Sequence, residues 1–180
     1  MALKSSVFKA DIQIADLDRH FYENFSLTLA RHPSETDERM MVRLMAFILH
    51  AQEGLSFGKG LSTEDEPDLW LKNMVDEIEL WIEVGQPDEK RLRKAAGRSR
   101  RVCVYCYGNN EVDNWWHNHQ RKLKQMDKLS IYRIPAEPCQ ALTEFVQRTM
   151  HLQCTIQDDE IMLTDGQQTV QFRVEVLKAD

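Results

Sequence analysis

Apolar side chains alternate with polar ones at both ends of the sequence and recur at helical spacing between them. In residues 5–15, Phe8, Ala10, Ile12 and Ile14 fall on one side and Val7, Lys9 and Asp11 on the other, the period of a half-buried strand. Residues 21–30 alternate again through Phe25, Leu27 and Leu29, and the Asp16-Leu17-Asp18-Arg19 link predicts an antiparallel hairpin. His32-Pro33-Ser34 then stops the strand. Ser34 is placed to cap a helix with Glu35, Asp37 and Glu38 in its first turn, running to about Glu53. Met41, Leu44, Met45, Ile48 and Leu49 give that helix a broad apolar face for a sheet, and the spacing turns Glu38 toward the same side.

Residues 54–63 hold three glycines and read as loop. The Glu-Asp-Glu-Pro-Asp turn ending at Asp68 opens a hairpin-like stretch that leads to a strand over residues 80–84. That strand is apolar at every position but Glu83, the pattern of a strand in the middle of a covered sheet. Pro87 fits the first position of a helix to about Gly97, with Asp88 and Glu89 near its positive end. Strand 102–107, helix 110–126, strand 129–134 and helix 136–147 follow, an alternation that predicts parallel crossovers. The tail reads as a meander of strands 150–157, 161–164 and 169–177. The expected fold is α/β: one domain over residues 1–180, a mixed β-sheet flanked by helices, with an N-terminal hairpin and a C-terminal antiparallel meander.

Charge is unevenly spread. The whole chain carries a formal charge of -6, yet residues 90–133 hold twelve Lys and Arg against Glu111, Asp113 and Asp127. A basic segment beside an acidic remainder is compatible with gripping phosphates around a metal. The four cysteines, in a chain whose Met1-Ala-Leu-Lys start reads as strand approach rather than a cleavable leader, point to a reducing cytoplasm. The longest apolar run, residues 40–49, is interrupted by Arg43 and is too short for a bilayer, so no membrane partner is expected.

Glu83 is the residue out of place. A carboxylate withdrawn from water needs a cation beside it, either a basic side chain or a metal. Asp68 and Glu83 on neighbouring strands could hold Mg²⁺, which prefers oxygen ligands and can turn a bound water into a nucleophile toward phosphorus. Pro67-Asp68 followed fifteen positions later by Glu83-Val84-Gly85 resembles the PD-(D/E)xK nuclease signature, with glycine where its lysine belongs. Lys90, or less readily Lys94, could reach back to supply that charge. The bland alternatives are a turn or cap carboxylate for Asp68, a buried salt bridge to a helix arginine for Glu83, and an N-terminal helix acid for Glu38. Cys103 and Cys106 lie three apart on a strand and so face opposite sides, which makes them core residues. His117 and His119 cannot share one helix face, and Trp115 and Trp116 are expected to pack in the core.

Longer motifs go beyond the nuclease signature. The run Ser26-Leu27-Thr28-Leu29-Ala30-Arg31-His32-Pro33-Ser34-Glu35-Thr36-Asp37-Glu38-Arg39-Met40-Met41 closely resembles the bacterial YaeQ family. So do Asp65-Glu66-Pro67-Asp68, Leu80-Trp81-Ile82-Glu83-Val84-Gly85, Trp115-Trp116 and Met150-x-Leu152-Gln153, and the resemblance spans the chain. It implies a restriction-endonuclease-like core in which Glu38, Asp68 and Glu83 are the acids positioned to hold Mg²⁺ or Mn²⁺. Lys90 would then stand in for the missing lysine, while Arg91, Lys94, Arg98, Arg31 and His32 are the candidates for holding a nucleic-acid backbone. His32 could equally serve as a base or brace the turn. Two functions follow as expectations: a metal-dependent nuclease, or a non-catalytic nuclease-like protein that binds nucleic acid or the transcription machinery. The first requires three converging carboxylates with no arginine among them. The second predicts that an arginine fills the gap, with Arg31 or Arg39 the candidates.

Overall fold

The computed structural model describes residues 4–180. Residues 1–3, the start of the Met1-Ala-Leu-Lys segment read as strand approach, lie outside them. Two mixed sheets with flanking helices make up the α/β architecture, and the chain clusters into two compact units. One takes the chain up to Met41 together with Glu137–Val174, and the other takes Val42–Ala136 and Glu175–Asp180.

The first unit is built on a five-stranded sheet. Strand β1 (Ser6–Asp16) pairs antiparallel with β2 (Phe21–Arg31), as the alternation predicts. Its other edge pairs in parallel with β8 (Thr149–Gln157), which continues into β9 (Glu160–Thr164) and β10 (Thr169–Arg173). The hairpin and the meander are therefore one sheet rather than two appendages. Its inner face is apolar: Phe8, Ala10, Ile12 and Ile14 from β1 are buried, as are Met150, Leu152, Cys154 and Ile156 from β8. The β1–β2 turn is closed by Asp16, whose Oδ1 accepts from the Arg19 backbone N–H at 3.1 Å and whose Oδ2 accepts from Arg19 Nε at 2.6 Å. Helix α4 (Ala136–Leu142) and the turn of 3₁₀ helix after it bury Cys139, Leu142 and Phe145.

Helix α1 (Asp37–His50) starts two residues later than Ser34 capping would require. Thr36 is the cap: its Oγ1 accepts from the Arg39 N–H at 3.1 Å, and its carbonyl accepts from Met40 N–H at 3.1 Å. The Ser34 hydroxyl is taken up by His32 Nδ1, 2.6 Å away. Instead of one apolar face, every position of residues 40–48 is buried, because Met40, Val42, Ala46 and Phe47 extend the apolar surface around the helix.

The second unit is a six-stranded sheet in the order β11-β7-β6-β5-β4-β3. Its centre is β5 (Ile78–Val84), β6 (Ser99–Tyr107) and β7 (Leu129–Ile134), all parallel, joined by α2 (Glu89–Arg98) and α3 (Asn110–Leu123) as the strand-helix alternation predicts. These helices bury Leu92, Ala95, Val112, Trp115 and Leu123 against Trp81, Val102, Val104, Cys106 and Ile131. Near the other sheet face, His50 at the end of α1 shares a hydrogen bond of 2.7 Å with the Tyr105 hydroxyl. Strands β4 (Leu69–Lys72) and β5 form the expected hairpin, and β3 (Leu55–Phe57) extends it from within the glycine-bearing stretch that reads as loop.

The last strand is divided. Strand β10 ends at Arg173, and β11 (Glu175–Lys178) pairs antiparallel with β7 in the second unit. All four cysteines are buried free thiols. Burial pushes Cys103 up to about 11 and both Cys106 and Cys154 up to about 12, which leaves them unreactive core residues. No helix among the described residues is long and apolar enough to cross a membrane.

Candidate functional site

Asp68 stands just before β4 and Glu83 near the end of β5, and both are buried, at 1% and 4% exposure. The Asp68 backbone N–H donates to the Ile82 carbonyl at 3.1 Å, and its Oδ2 accepts from the Val84 N–H at 2.8 Å. That carboxylate thereby closes the open end of the β4–β5 ladder. It also limits the neighbouring loop, since a Cβ added at Gly60, where φ is +48°, would lie 2.5 Å from Asp68 Oδ1. Asp68 thus has a structural task of its own.

Glu83 is held by two donors on one oxygen. Trp81 Nε1 donates to Glu83 Oε1 at 2.7 Å, and Arg91 Nε donates to the same atom at 2.9 Å. The Arg91 guanidinium also donates from Nη1 to the Glu64 carbonyl at 3.0 Å and from Nη2 to the Glu66 carbonyl at 3.1 Å, tying the acidic loop to α2. The tether continues with Lys94 Nζ at 3.1 Å from Asp65 Oδ1 and Arg98 Nη1 at 2.7 Å from the Asp65 carbonyl. Lys94 pulls the Asp65 carboxyl below its ordinary range. Three of the cations expected to hold a phosphate backbone hold this loop.

Helix phasing explains why Arg91 arrives and Lys90 does not. Asp88, not Pro87, begins the helix: Asp88 is the N-cap, its Oδ1 accepting from the Arg91 N–H at 2.8 Å. This sets Leu92 and Ala95 inward, with Arg91 at the border of the buried stripe and Lys90 in solvent. Lys90 therefore takes no place beside Glu83. It lines, with Glu64, Asp88, Arg91 and Lys94, an open cleft of about 360 Å³.

The glycine at the lysine position is conformational as well. Strand β5 ends at Val84, and Gly85 has φ +110°, so it no longer continues the face that carries Glu83. A Cβ there would meet nothing within 4 Å, which makes the obstacle backbone strain rather than space. Gly85→Lys is expected to cost about 1–3 kcal/mol in denaturant unfolding and to confer no metal-dependent cleavage.

The other candidates lie in the first unit. Glu38, half-buried in the first turn of α1, accepts from the Cys139 thiol, and burial together with that carboxylate pushes the thiol well above its ordinary range. Arg31 pairs with Asp37 and lies 5.1 Å over the Phe8 ring, while Arg39 bonds Glu35 at 2.6 Å. His32 Nδ1 accepts from the Ser34 backbone N–H at 3.1 Å and so braces the turn. Neither Arg31 nor Arg39 is the arginine beside the strand acids; Arg91 is. Among the described residues, no three His, Cys, Asp or Glu side chains are grouped so as to hold a metal ion. The donors present hold Glu83 as a buried ion pair.

Burial raises the Glu83 carboxyl above its ordinary value of 4.5, and repulsion from Asp68 adds to the rise, while Arg91 and the Trp81 N–H pull against it. The folded protein therefore binds this proton more tightly than the unfolded chain. Its contribution to stability is complete below pH 4.5 and is lost as pH rises through the folded value. Glu83→Gln is expected to remove that component, so the unfolding free energy of the wild type minus that of the variant should fall as pH rises from about 4.5. Paired urea titrations across pH measure it.

Residues 1–174 match the family model described as YaeQ protein. The chain is 46% identical to an uncharacterized protein YaeQ of Salmonella typhi over 174 residues, covering 97% of this chain and 96% of that one. It is 44% identical to the Escherichia coli K12 protein of the same description, with the same coverage. Among solved structures, the YaeQ protein of Xanthomonas axonopodis pv. citri superposes with a TM-score of 0.94 at 43% identity, covering 98% of this chain and 99% of that one. The Pseudomonas syringae YaeQ protein gives 0.93 at 35% identity, with coverage of 98% and 97%.

Proposed function

The chain belongs to the YaeQ family, and from that premise we propose that it is a non-catalytic, nuclease-like protein that binds nucleic acid rather than cleaving it. The observation that carries this reading is the Arg91–Glu83 pair, at 2.9 Å, in the place where a nuclease would keep an open carboxylate. Asp68 is committed to the Val84 N–H, and Gly85 has no charge to offer an oxyanion. An acid pair so occupied supports the non-catalytic reading.

The nucleic-acid partner is supported by cations left over once the internal pairs are made. Lys90 on α2 and Arg121 on α3 are exposed and form no ion pair among the described residues. The two helices are linked by Lys122 Nζ at 3.3 Å from Glu89 Oε2. Exposed pairs such as Arg93–Glu89 are worth little in water and can yield their cation to a phosphate.

Fluorescence anisotropy with labelled single- and double-stranded DNA and RNA tests the reading. Binding should weaken with salt, and a Lys90→Ala, Arg121→Ala double variant should bind more weakly with a salt slope smaller by about two. Incubation with Mg²⁺ or Mn²⁺ should leave the nucleic acid intact. Cleavage abolished by Glu83→Ala would overturn the non-catalytic assignment. No binding even at low salt would overturn the nucleic-acid assignment and leave a protein partner, such as a component of the transcription machinery, as the alternative.

A further inference from the structure

The outer face of the five-stranded sheet carries an unexpected run of amides. Asn24, Gln13 and Gln153 are in register on β2, β1 and β8 and stand side by side. All three are exposed, and none makes a side-chain hydrogen bond among the described residues. The adjoining row is Tyr22, Ala15 and Thr155. Ala15 is too small to fill its position there, and a hollow of about 510 Å³ opens, lined by the tyrosine and the three amides. Tyr22 is 59% exposed.

On the other side of the amides, Asp11 is fixed between two neighbours. Ser26 Oγ donates to its Oδ1 at 2.7 Å, and His151 Nδ1 lies 3.5 Å from its Oδ2. A second hollow, of about 290 Å³, opens over this row and shares Gln13, Asn24 and Gln153 with the first. The two form one trough along β1. The larger hollow has the size of a small-molecule site, which runs from about 300 to 1,000 Å³.

The chemistry of the lining selects the ligand. Each amide supplies two donors and an acceptor, Asp11 supplies acceptors, and the tyrosine face is apolar. That set matches a ring with hydroxyls around its rim and C–H bonds on its faces. No Lys or Arg lines either hollow, whereas Asp11, Glu23 and Asp165 do. A polyphosphate chain would find carboxylates there in place of the cations it needs. We propose that this trough binds a neutral oligosaccharide, one sugar ring lying against Tyr22 over Ala15 with its hydroxyls on Gln13, Asn24 and Gln153.

The test is saturation-transfer NMR and calorimetry on the full chain with maltohexaose, cellohexaose and chitohexaose, alongside a single-stranded thymidine oligonucleotide. Saturable binding of at least one hexasaccharide is expected, weakened about tenfold by Tyr22→Ala and recovered in Tyr22→Phe. Gln13→Ala should also weaken it. Met74→Ser, a change at the fully exposed β4–β5 turn, should leave it unchanged. Because Tyr22 is exposed, its variants should melt as the wild type does. Failure of all three sugars to bind, sugar binding that survives Tyr22→Ala, or Tyr22-dependent binding of the oligonucleotide instead would each overturn the proposal.

Discussion

Arg91→Ala is expected to destabilise the second unit by about 3 kcal/mol at neutral pH, toward the low end of what breaking a buried pair costs. The substitution leaves Glu83 in a dry position with only the Trp81 N–H beside it, and it releases the Glu64 and Glu66 carbonyls that the guanidinium holds. The figure is moderated because Arg91 is itself 25% exposed, so water can enter where it leaves. It has a sign in pH as well. Without its cation Glu83 protonates more readily, and a neutral carboxyl tolerates burial, so the loss should be smaller in mild acid than above neutrality. Replacing both partners, Glu83→Gln with Arg91→Met, should cost less than Arg91→Ala alone, because no charge is left unpaired. Urea unfolding of the three variants at two pH values provides the comparison.

Trp81→Ala should be still more damaging, about 3–5 kcal/mol, the range for deleting a buried aromatic. The ring is 1% exposed, packs in the cluster formed by α2, α3 and the central strands, meets Trp70 edge-on at 6.4 Å, and lies under the Arg98 guanidinium at 5.1 Å. Its N–H is also one of the two donors to Glu83. Trp81→Phe separates the two roles: it keeps most of the apolar contact and removes the donor, for a loss of about 1–3 kcal/mol. If Trp81→Phe were as damaging as Trp81→Ala, the hydrogen bond rather than the packing would dominate. Thermal and denaturant melts of the pair decide this.

Much of this arrangement was legible in the residues. Alternation located β1 and β2; the inward side chains of β1 are buried, while on β2 Leu29 is buried and Phe25 and Leu27 are only partly so. A lone acid in the apolar stretch around Ile82 announced a buried carboxylate in need of a cation. The identity of that cation was harder to read, because residues 89–98 offer five basic side chains and only the phase of the helix selects among them. The usable signal was the Leu92–Ala95 stripe combined with Asp88 as cap, which sets Arg91 at the edge of the buried face. Lys90, one residue earlier, lies farther from that stripe and is exposed.

Other features lay beyond local pattern. Strand β3 is three residues long and shows no alternation to detect. The chain leaves one sheet at Arg173 and joins another at Glu175, yet residues 169–177 read as one continuous strand, because sheet membership is decided by distant partners such as Tyr132. The charge surplus of residues 90–133 pointed outward to phosphates, but much of it is met internally. Arg91, Lys94 and Arg98 hold the loop around Asp65, and Arg100 pairs with Glu77 at 2.8 Å. Spacing along the chain does not reveal which acids will fold back onto a basic helix.

The central claim is that Asp68 and Glu83 serve the fold and do not hold a metal. Calorimetric titration of Mn²⁺ and Mg²⁺ into the intact protein, beside an Asp68→Ala, Glu83→Ala double variant, tests it most directly. The account predicts no stoichiometric ion uptake that depends on these two carboxylates. Binding of one or two ions by the intact protein, lost in the double variant, would contradict it and return the site to phosphodiester chemistry.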